Sequence, residues 1–258
     1  PEEVDGGIVM HRVRSSVGRR RVAHRVLLSS LVAVLGACAP TTAAPRGAGG
    51  AQASAHAACV GNDFVVTVPD RALFEAIAGP RKAQESPTNE LSCSEFARVV
   101  HLRANGVTDL EGVQYAVNLS TAALRDSPVT DLAPLANLPR LQTLTITGGR
   151  LTSLAPLASM PALVSLDLSS SSVTDLTPLA AVTNLVYLNA DGNAIADISA
   201  LENLSALAWL DLSNNLIADV SALGGNRRIE TVILNDNRIV DADPLGGMTQ
   251  LTRIELAN

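Results

Sequence analysis

Two large aromatic side chains stand one repeat apart in a chain that contains few of them. Tyr187 and Trp209 are two of only six Phe, Tyr and Trp residues among 258. Exposed rings can supply much of the free energy of binding, and amides and carboxylates beside them can hydrogen-bond a ligand. The polar residues that lie two or four positions after each ring, or at the equivalent position one repeat earlier, are Asp167, Asn189, Asp191 and Asp211. These six residues form the predicted binding site.

Cysteine is the other residue type here that could do chemistry, and Cys38 ends the segment "LGAC". Six arginines within residues 12–25 precede an apolar run over residues 26–37, which is too short to span a membrane. Residues 1–37 are therefore interpreted as upstream residues and a signal peptide. "LGAC" resembles the bacterial lipobox, which implies that Cys38 receives a lipid. The alternative is an ordinary secretory signal with an incidental cysteine.

Residues 38–58 are rich in Ala, Gly, Pro and Thr and lack large apolar side chains, so they are predicted to form a flexible tether. If Cys38 carries a lipid, Cys59 and Cys93 remain. In an oxidising compartment these two are predicted to form a disulfide that contributes about 3–4 kcal/mol. Two unpaired buried thiols are the alternative. A metal site is disfavoured because the cysteines lack partners at ligand spacing.

A fixed leucine period accounts for the spacing of the two rings. Over residues 97–258 the template LxxLxLxxNxIxDLxxLxxLxx recurs every 22 residues, in seven full units and a partial eighth. This pattern is typical of leucine-rich repeats, whose units stack as the coils of a solenoid. An ordinary amphipathic domain would not keep one phase for so long. The sequence therefore predicts an α/β solenoid.

Each position of the unit has a physical role. The fourth and sixth residues, such as Leu210 and Leu212, alternate as strand residues do and are predicted to point into the core. We interpret the ninth position as a structural ladder, because a buried amide must hydrogen-bond the backbone. The ninth residues are Asn105, Asn193, Asn215 and Asn237, with Ser127, Gly149 and Ser171 in three central units.

A column of aspartates precedes the segment that returns the chain to the next strand. We interpret these carboxylates as caps of short helical turns, several of which contain proline near their start. A calcium-binding ladder is the alternative, although the Gly-Asp nonapeptides of known calcium repeats are absent. The aspartates are Asp109, Asp131, Asp175, Asp197, Asp219 and Asp241, and the prolines are Pro134, Pro156 and Pro178.

Residues 59–96 are predicted to form an N-terminal cap, since an open solenoid end would expose its apolar core. "VTVPDRALFEAIAGP" predicts a helix that begins near Asp70 and ends before Gly79. "SCSEF" predicts a capping box between Ser92 and Glu95, at the start of a second helix.

This cap, followed by "NGVTDLEGVQYAVNL" and "TDLAPLANL", resembles the bacterial internalin-type leucine-rich repeat family over residues 64–258. The resemblance implies a right-handed, curved solenoid with parallel strands on its concave face. Short turns or 3-10 segments would form the convex face. It also implies an exported protein that binds other macromolecules through the concave face.

On that face the third, fifth and seventh residues of each unit are expected to point to solvent. Strands about 4.8 Å apart would place Tyr187 and Trp209 side by side. The alternative to a binding role is that the rings only pack across neighbouring strands. A separate polar cluster near the cap, His101, Arg103 and Arg125, is expected to be solvated. The third column reads Val99, Thr121, Thr143, Ser165, Tyr187, Trp209, Thr231 and Arg253.

Charge and motif content narrow the function. The formal charge of −6 combines a basic leader with an acidic remainder, which disfavours nucleic acid as a partner. No nucleophile elbow, phosphate loop or metal-spaced histidine set is present, so we predict neither an enzyme nor a bound cofactor or metal. The prediction is a protein-binding module, lipid-anchored to a bacterial cell-envelope membrane. The alternatives are a cell-wall or glycan binder and a structural or assembly role.

Overall fold

The computed structural model describes residues 63–136 and 138–257. The predicted signal peptide and tether, together with Cys38 and Cys59, lie outside the described residues. Within those ranges no helix is both long and apolar enough to cross a membrane.

Two short strands and three helices form a small cap before the repeats. Asp70 is the N-cap of the first helix, and its carboxylate accepts from the N–H of Leu73 at 2.9 Å. The predicted capping box is also present, with Glu95 accepting from the N–H of Ser92 at 2.8 Å. Strands β1 and β2 pair antiparallel. The cap elements are β1 (Val65–Thr67), α1 (Arg71–Ala78), α2 (Pro80–Glu85), β2 (Glu90–Ser92) and α3 (Cys93–Phe96).

The repeats form one parallel sheet in which spatial order follows chain order, confirming the predicted leucine-rich repeat solenoid. In the described residues this sheet has eight strands. They are β3 (His101–Asn105), β4 (Thr121–Arg125), β5 (Thr143–Ile146), β6 (Ser165–Asp167), β7 (Tyr187–Asn189), β8 (Trp209–Asp211), β9 (Thr231–Ile233) and β10 (Arg253–Glu255).

Short 3-10 turns return the chain between strands. The turns are Val113–Tyr115, Ala133–Leu135, Ala155–Ser159, Thr177–Ala181, Ser199–Leu201, Ser221–Leu223 and Asp243–Gly247. The aspartate column caps these turns: Asp175 accepts from the N–H of Thr177 at 2.7 Å, and Asp219 from that of Ser221 at 2.8 Å. This confirms the capping interpretation of the column.

The core is a continuous aliphatic stack running from the cap along the repeats. The fourth and sixth residues of the units, such as Leu144 and Ile146, are fully buried, as their alternation predicts. Phe74 and Phe96 are also fully buried and close the cap end of this stack. Burial of this row on one side of the sheet leaves the alternate residues of each strand on the concave face.

The ninth-position amides bridge successive coils. The amide nitrogen of Asn215 donates to the carbonyls of Ala190, Leu212 and Ser213 at 2.9–3.0 Å. Its oxygen accepts from the N–H of Ile195 at 3.0 Å. Asn193 and Asn237 bond in the same way, so the ladder interpretation is confirmed for these three residues. Asn193 bonds to Leu168, Ala190, Asp191, Ser171 and Val173, and Asn237 bonds to Leu212, Leu234, Asn235 and Ile217.

The first unit departs from the predicted 22-residue register. His101 pairs with Thr121, a step of 20 residues, whereas the later strands keep the step of 22. Asn105 therefore lies exposed at the end of β3, opposite Arg125, and is not part of the ladder. His101, not Val99, begins the concave column. The cause is α3, because the N–H of Val99 still bonds the carbonyl of Phe96 and the strand cannot begin earlier.

Candidate functional site: an aromatic stack on the concave face

Tyr187 and Trp209 begin β7 and β8 and are direct partners in the parallel register. Their ring centroids lie 4.3 Å apart, and the ring planes differ by 7°. Both side chains are half-buried. The structure thus places the two rings in contact on the concave surface, as the repeat spacing predicts.

The direction of stacking decides which parts of the rings a ligand could reach. The 4.3 Å between the ring centroids runs from one strand to the next. The ring planes are therefore roughly perpendicular to the sheet, and the ring edges point toward solvent. Each ring covers one face of the other. The neighbouring concave residues are small, with Ser165 beside Tyr187 and Thr231 beside Trp209. The outer faces of the two rings are therefore bordered by small side chains.

The predicted polar residues lie beside the stack, on consecutive strands. Asp167, Asn189 and Asp211 are partners across β6, β7 and β8. Each accepts a hydrogen bond from the N–H two residues later, at 2.9–3.0 Å, which turns the chain out of the strand. These side chains therefore shape the loops as well as the surface, a role that their sequence positions did not reveal.

Asp191 occupies the next position toward the loops and links two coils. Its carboxylate accepts from the amide of Asn214 at 2.8 Å. The loops after β7 and β8 are thus tied together on the concave side. All six predicted site residues fall on one contiguous patch, which we call the aromatic patch: Tyr187, Trp209, Asp167, Asn189, Asp191 and Asp211.

The carboxylates make the patch electrostatically negative. Burial, with the nearby charges of Asp167 and Asp211, raises the pKa of the Tyr187 phenol to about 12. The phenol therefore keeps its proton at neutral pH and can donate a hydrogen bond. Burial also raises the pKa of Asp211, and the charges of Asp191 and Glu255 act in the same direction.

Sequence reasoning missed a cleft at the cap end of the same face. It is lined by α1, β3 and β4, and includes Arg103, Asn105 and Arg125. The 20-residue first step creates this grouping by bringing Asn105 opposite Arg125. The predicted helix that begins at the "SCSEF" capping box could have indicated this change of register, since the final hydrogen bonds of α3 delay the start of β3. In the part of the chain that the structure describes, no three His, Cys, Asp or Glu side chains gather as metal ligands.

Solved structures with the same architecture include bacterial leucine-rich repeat proteins. An internalin C2 from Listeria monocytogenes is 33% identical, with a TM-score of 0.66, over 74% of this chain and 87% of that one. A second Listeria monocytogenes internalin (inlF) is 24% identical, with a TM-score of 0.51, over 73% and 69%. A Leptospira interrogans leucine-rich repeat protein is 22% identical, with a TM-score of 0.56, over 59% and 40%, and shows the fold alone.

No protein-family model and no curated protein matches the sequence. The fold, the 22-residue unit and the cap define a leucine-rich repeat protein of the bacterial kind. Because the chain is 33% identical to internalin C2 over 74% of its own length and 87% of the other, it belongs to the internalin family.

Proposed function

We propose that this chain is an exported binding module that recognises a protein partner through its concave face, with the aromatic patch at the centre of the contact. Strand faces of repeat solenoids are extended surfaces suited to such contacts. Membership of the internalin family supports the same class of function.

The observation that carries this proposal is the half-exposed stack of Tyr187 on Trp209. Tyr and Trp are enriched among the residues that dominate protein interfaces, and they act best when a partner excludes water from around them. Here the rings are pre-positioned by two rigid strands and by each other, so little side-chain entropy is lost on binding. The small residues on either side leave room for partner side chains.

Glycan binding is the alternative that the ring geometry disfavours. A sugar stacks on an open aromatic face, whereas each ring here covers one face of the other at 4.3 Å. Both rings also present their edges outward. Carboxylates such as Asp167 could still bond hydroxyls, so a glycan array is a direct check of this alternative.

The test is a quantitative pull-down from whole extract, followed by affinity measurement for the captured protein. Trp209→Ala should weaken binding by about 2 kcal/mol or more, the usual scale of an interface hot spot. Thr143→Ala, on the same face three strands away, is the matched control and should cost little. Unchanged binding by Trp209→Ala would show that the stack serves packing and that the contact lies elsewhere.

Melting of both variants separates folding from binding. Loss of a cross-strand aromatic pair is expected to cost about 1 kcal/mol of folding stability. That leaves the domain folded at the temperature of the binding assay. A binding loss that exceeds the loss of folded protein is then assigned to the contact itself.

We also propose that Cys38 is the attachment point of a lipid, which would tether the module to a bacterial envelope membrane. The support is "LGAC" after a basic segment and an apolar run. Expression in a bacterial host with labelled palmitate should label the wild type, and Cys38→Ala should abolish the label. Equal labelling of the two proteins would refute the anchor.

The pairing of Cys59 with Cys93 stays a prediction, because Cys59 lies outside the described residues. Cys93 is 3% exposed at the start of α3, where a bridge would fix the cap. Peptide mapping under non-reducing conditions should recover the two cysteines linked. Alkylation of both thiols in protein from an oxidising compartment would contradict it.

A further inference from the structure

The cap end of the concave face holds a cleft that the aromatic patch does not use. Helix α1 supplies Ala72 and Ala76 to one wall, while β3 and β4 form the floor. The volume is about 840 Å³. Small side chains on the helix and at Ala123 keep the cleft open, and Arg103 and Arg125 are the cations that line it.

These two guanidinium groups have no carboxylate within ion-pair distance in the described residues. The ion pairs there are Arg71–Glu75, Arg81–Glu85, Lys82–Glu95 and Arg253–Glu255. Glu75, the acidic residue in the cleft lining, is held by Arg71 at 2.8 Å. Two positively charged side chains without an ion-pair partner therefore line the cleft.

The sheet register fixes the spacing of these charges. Arg103 pairs with Ala123, and Arg125 lies two residues further along the neighbouring strand. One strand spacing and two residue rises place their Cα atoms about 8 Å apart. The exposed amide of Asn105 lies directly across from Arg125. Hydrogen-bond donors from β3 and β4 therefore line the same cleft.

We propose that this basic cleft binds the carboxylates of an acidic segment in the protein that occupies the concave face. The proposal rests on the proposed function, since it names the chemistry of one part of that partner. Guanidinium groups match carboxylates with paired, charge-assisted hydrogen bonds. The carboxylates of the aromatic patch would repel such a segment, which favours the cap end of the face.

The distance to the aromatic patch defines the segment further. Arg125 on β4 and Trp209 on β8 are four strands apart, about 19 Å, and Arg125 also lies four residues further along its strand, about 13 Å. The two Cα atoms are therefore about 23 Å apart, a distance that an extended segment covers with about seven residues. The partner therefore carries its acidic side chains about seven residues from the group that contacts the stack. Any basic side chains of the segment face Asp167, Asp191 and Asp211.

The test measures fluorescence anisotropy of a fluorescein-labelled hexaglutamate peptide with the full chain, at about 20 mM and about 150 mM salt. The wild type is expected to bind, more weakly at the higher salt. Arg103→Ala with Arg125→Ala should weaken binding at least tenfold. Arg227→Ala with Arg228→Ala removes the same charge from an exposed turn and should leave binding unchanged.

Three results would overturn the proposal: no binding by the wild type at low salt, equal weakening by the two double variants, or displacement of the peptide by an equal charge of inorganic phosphate. The last result would assign the cleft to phosphate groups. Trp209→Ala should bind hexaglutamate as the wild type does, because the stack is about 23 Å away. Failure of the cleft and failure of the aromatic hot spot therefore give different results.

Discussion

Successive coils are joined by different side chains in the two halves of the solenoid, at the ninth position of the repeat unit. In the distal coils, residues 185–250, the ladder is built from Asn193, Asn215 and Asn237, each joining neighbouring coils through several backbone bonds. In the proximal coils, residues 119–184, the same position holds Ser127, Gly149 and Ser171. A hydroxyl offers one donor where an amide offers two, and glycine offers no side chain at all.

The serines compensate in part. Ser171 donates to the carbonyl of Ile146 at 2.9 Å and accepts from the N–H of Gly149 at 3.3 Å. Ser127 accepts from the N–H of Val107 at 3.1 Å. The unit therefore tolerates weaker ladder residues, but the aromatic patch lies largely on the half with the stronger ones. The coils that carry Tyr187 and Trp209 are joined by more side-chain hydrogen bonds than the proximal coils.

The largest expected effect is on the distal ladder. Asn215→Ala should lower the free energy of unfolding by about 3 kcal/mol, because buried backbone groups lose their partners. Ser127→Ala, the proximal counterpart, should cost about 1 kcal/mol. Urea unfolding of both variants measures the difference. Equal losses would mean that the coils of the two halves are held together equally well.

A smaller effect is expected at the left-handed turn after each strand. Gly148 and Gly192 both have positive φ, at 71° and 68°. A Cβ at Gly148 would meet the backbone of Asp126 at 3.3 Å, whereas one at Gly192 would meet the movable hydroxyl of Ser170 at 3.1 Å. Gly148→Ala should therefore cost about 2 kcal/mol and Gly192→Ala about 1 kcal/mol. Thermal melting that reversed this order would contradict the argument.

The smallest effect concerns charge in the distal half. Because the folded protein raises the pKa of Asp211, its ionised form is destabilising at neutral pH, and this penalty disappears as pH falls below the ordinary aspartate range near 4. Asp211→Asn should stabilise the fold at pH 7 by about 0.5 kcal/mol, and the gain should vanish at low pH. Asn189 already makes the same turn with an amide. A gain independent of pH would exclude the electrostatic cause.

Most of the solenoid could be predicted from the sequence, because in a strict repeat each position has the same structural role in every coil. One assignment, such as the inward-pointing Leu210, carries over to every coil, and the 22-residue step alone placed Tyr187 against Trp209. The predicted strand register was wrong in the first unit. There Val99 still hydrogen-bonds the end of α3, so the strand begins only at His101. A template aligned on leucines could not tell that Asn105 would leave the ladder.

Contacts within the patch were harder to predict than its location. The residue types allowed either a flat aromatic platform or a stack, and only the side-chain rotamers decide between them. The turn-forming role of Asp167 likewise depends on the direction of the chain after β6. The repeat pattern grouped Arg103 and Arg125 near the cap but did not predict the cleft around them, since that cleft arises where the repeat departs from its period.

The unbroken 22-residue step from β4 to β10 has a consequence for how this surface can evolve. Duplication or loss of one whole unit between β4 and β7 would leave the basic cleft and the aromatic stack intact. It would change their separation by about 4.8 Å, the spacing of one strand. Recombination between neighbouring repeats can therefore retune the distance between two recognition points in discrete steps, without altering a residue in either.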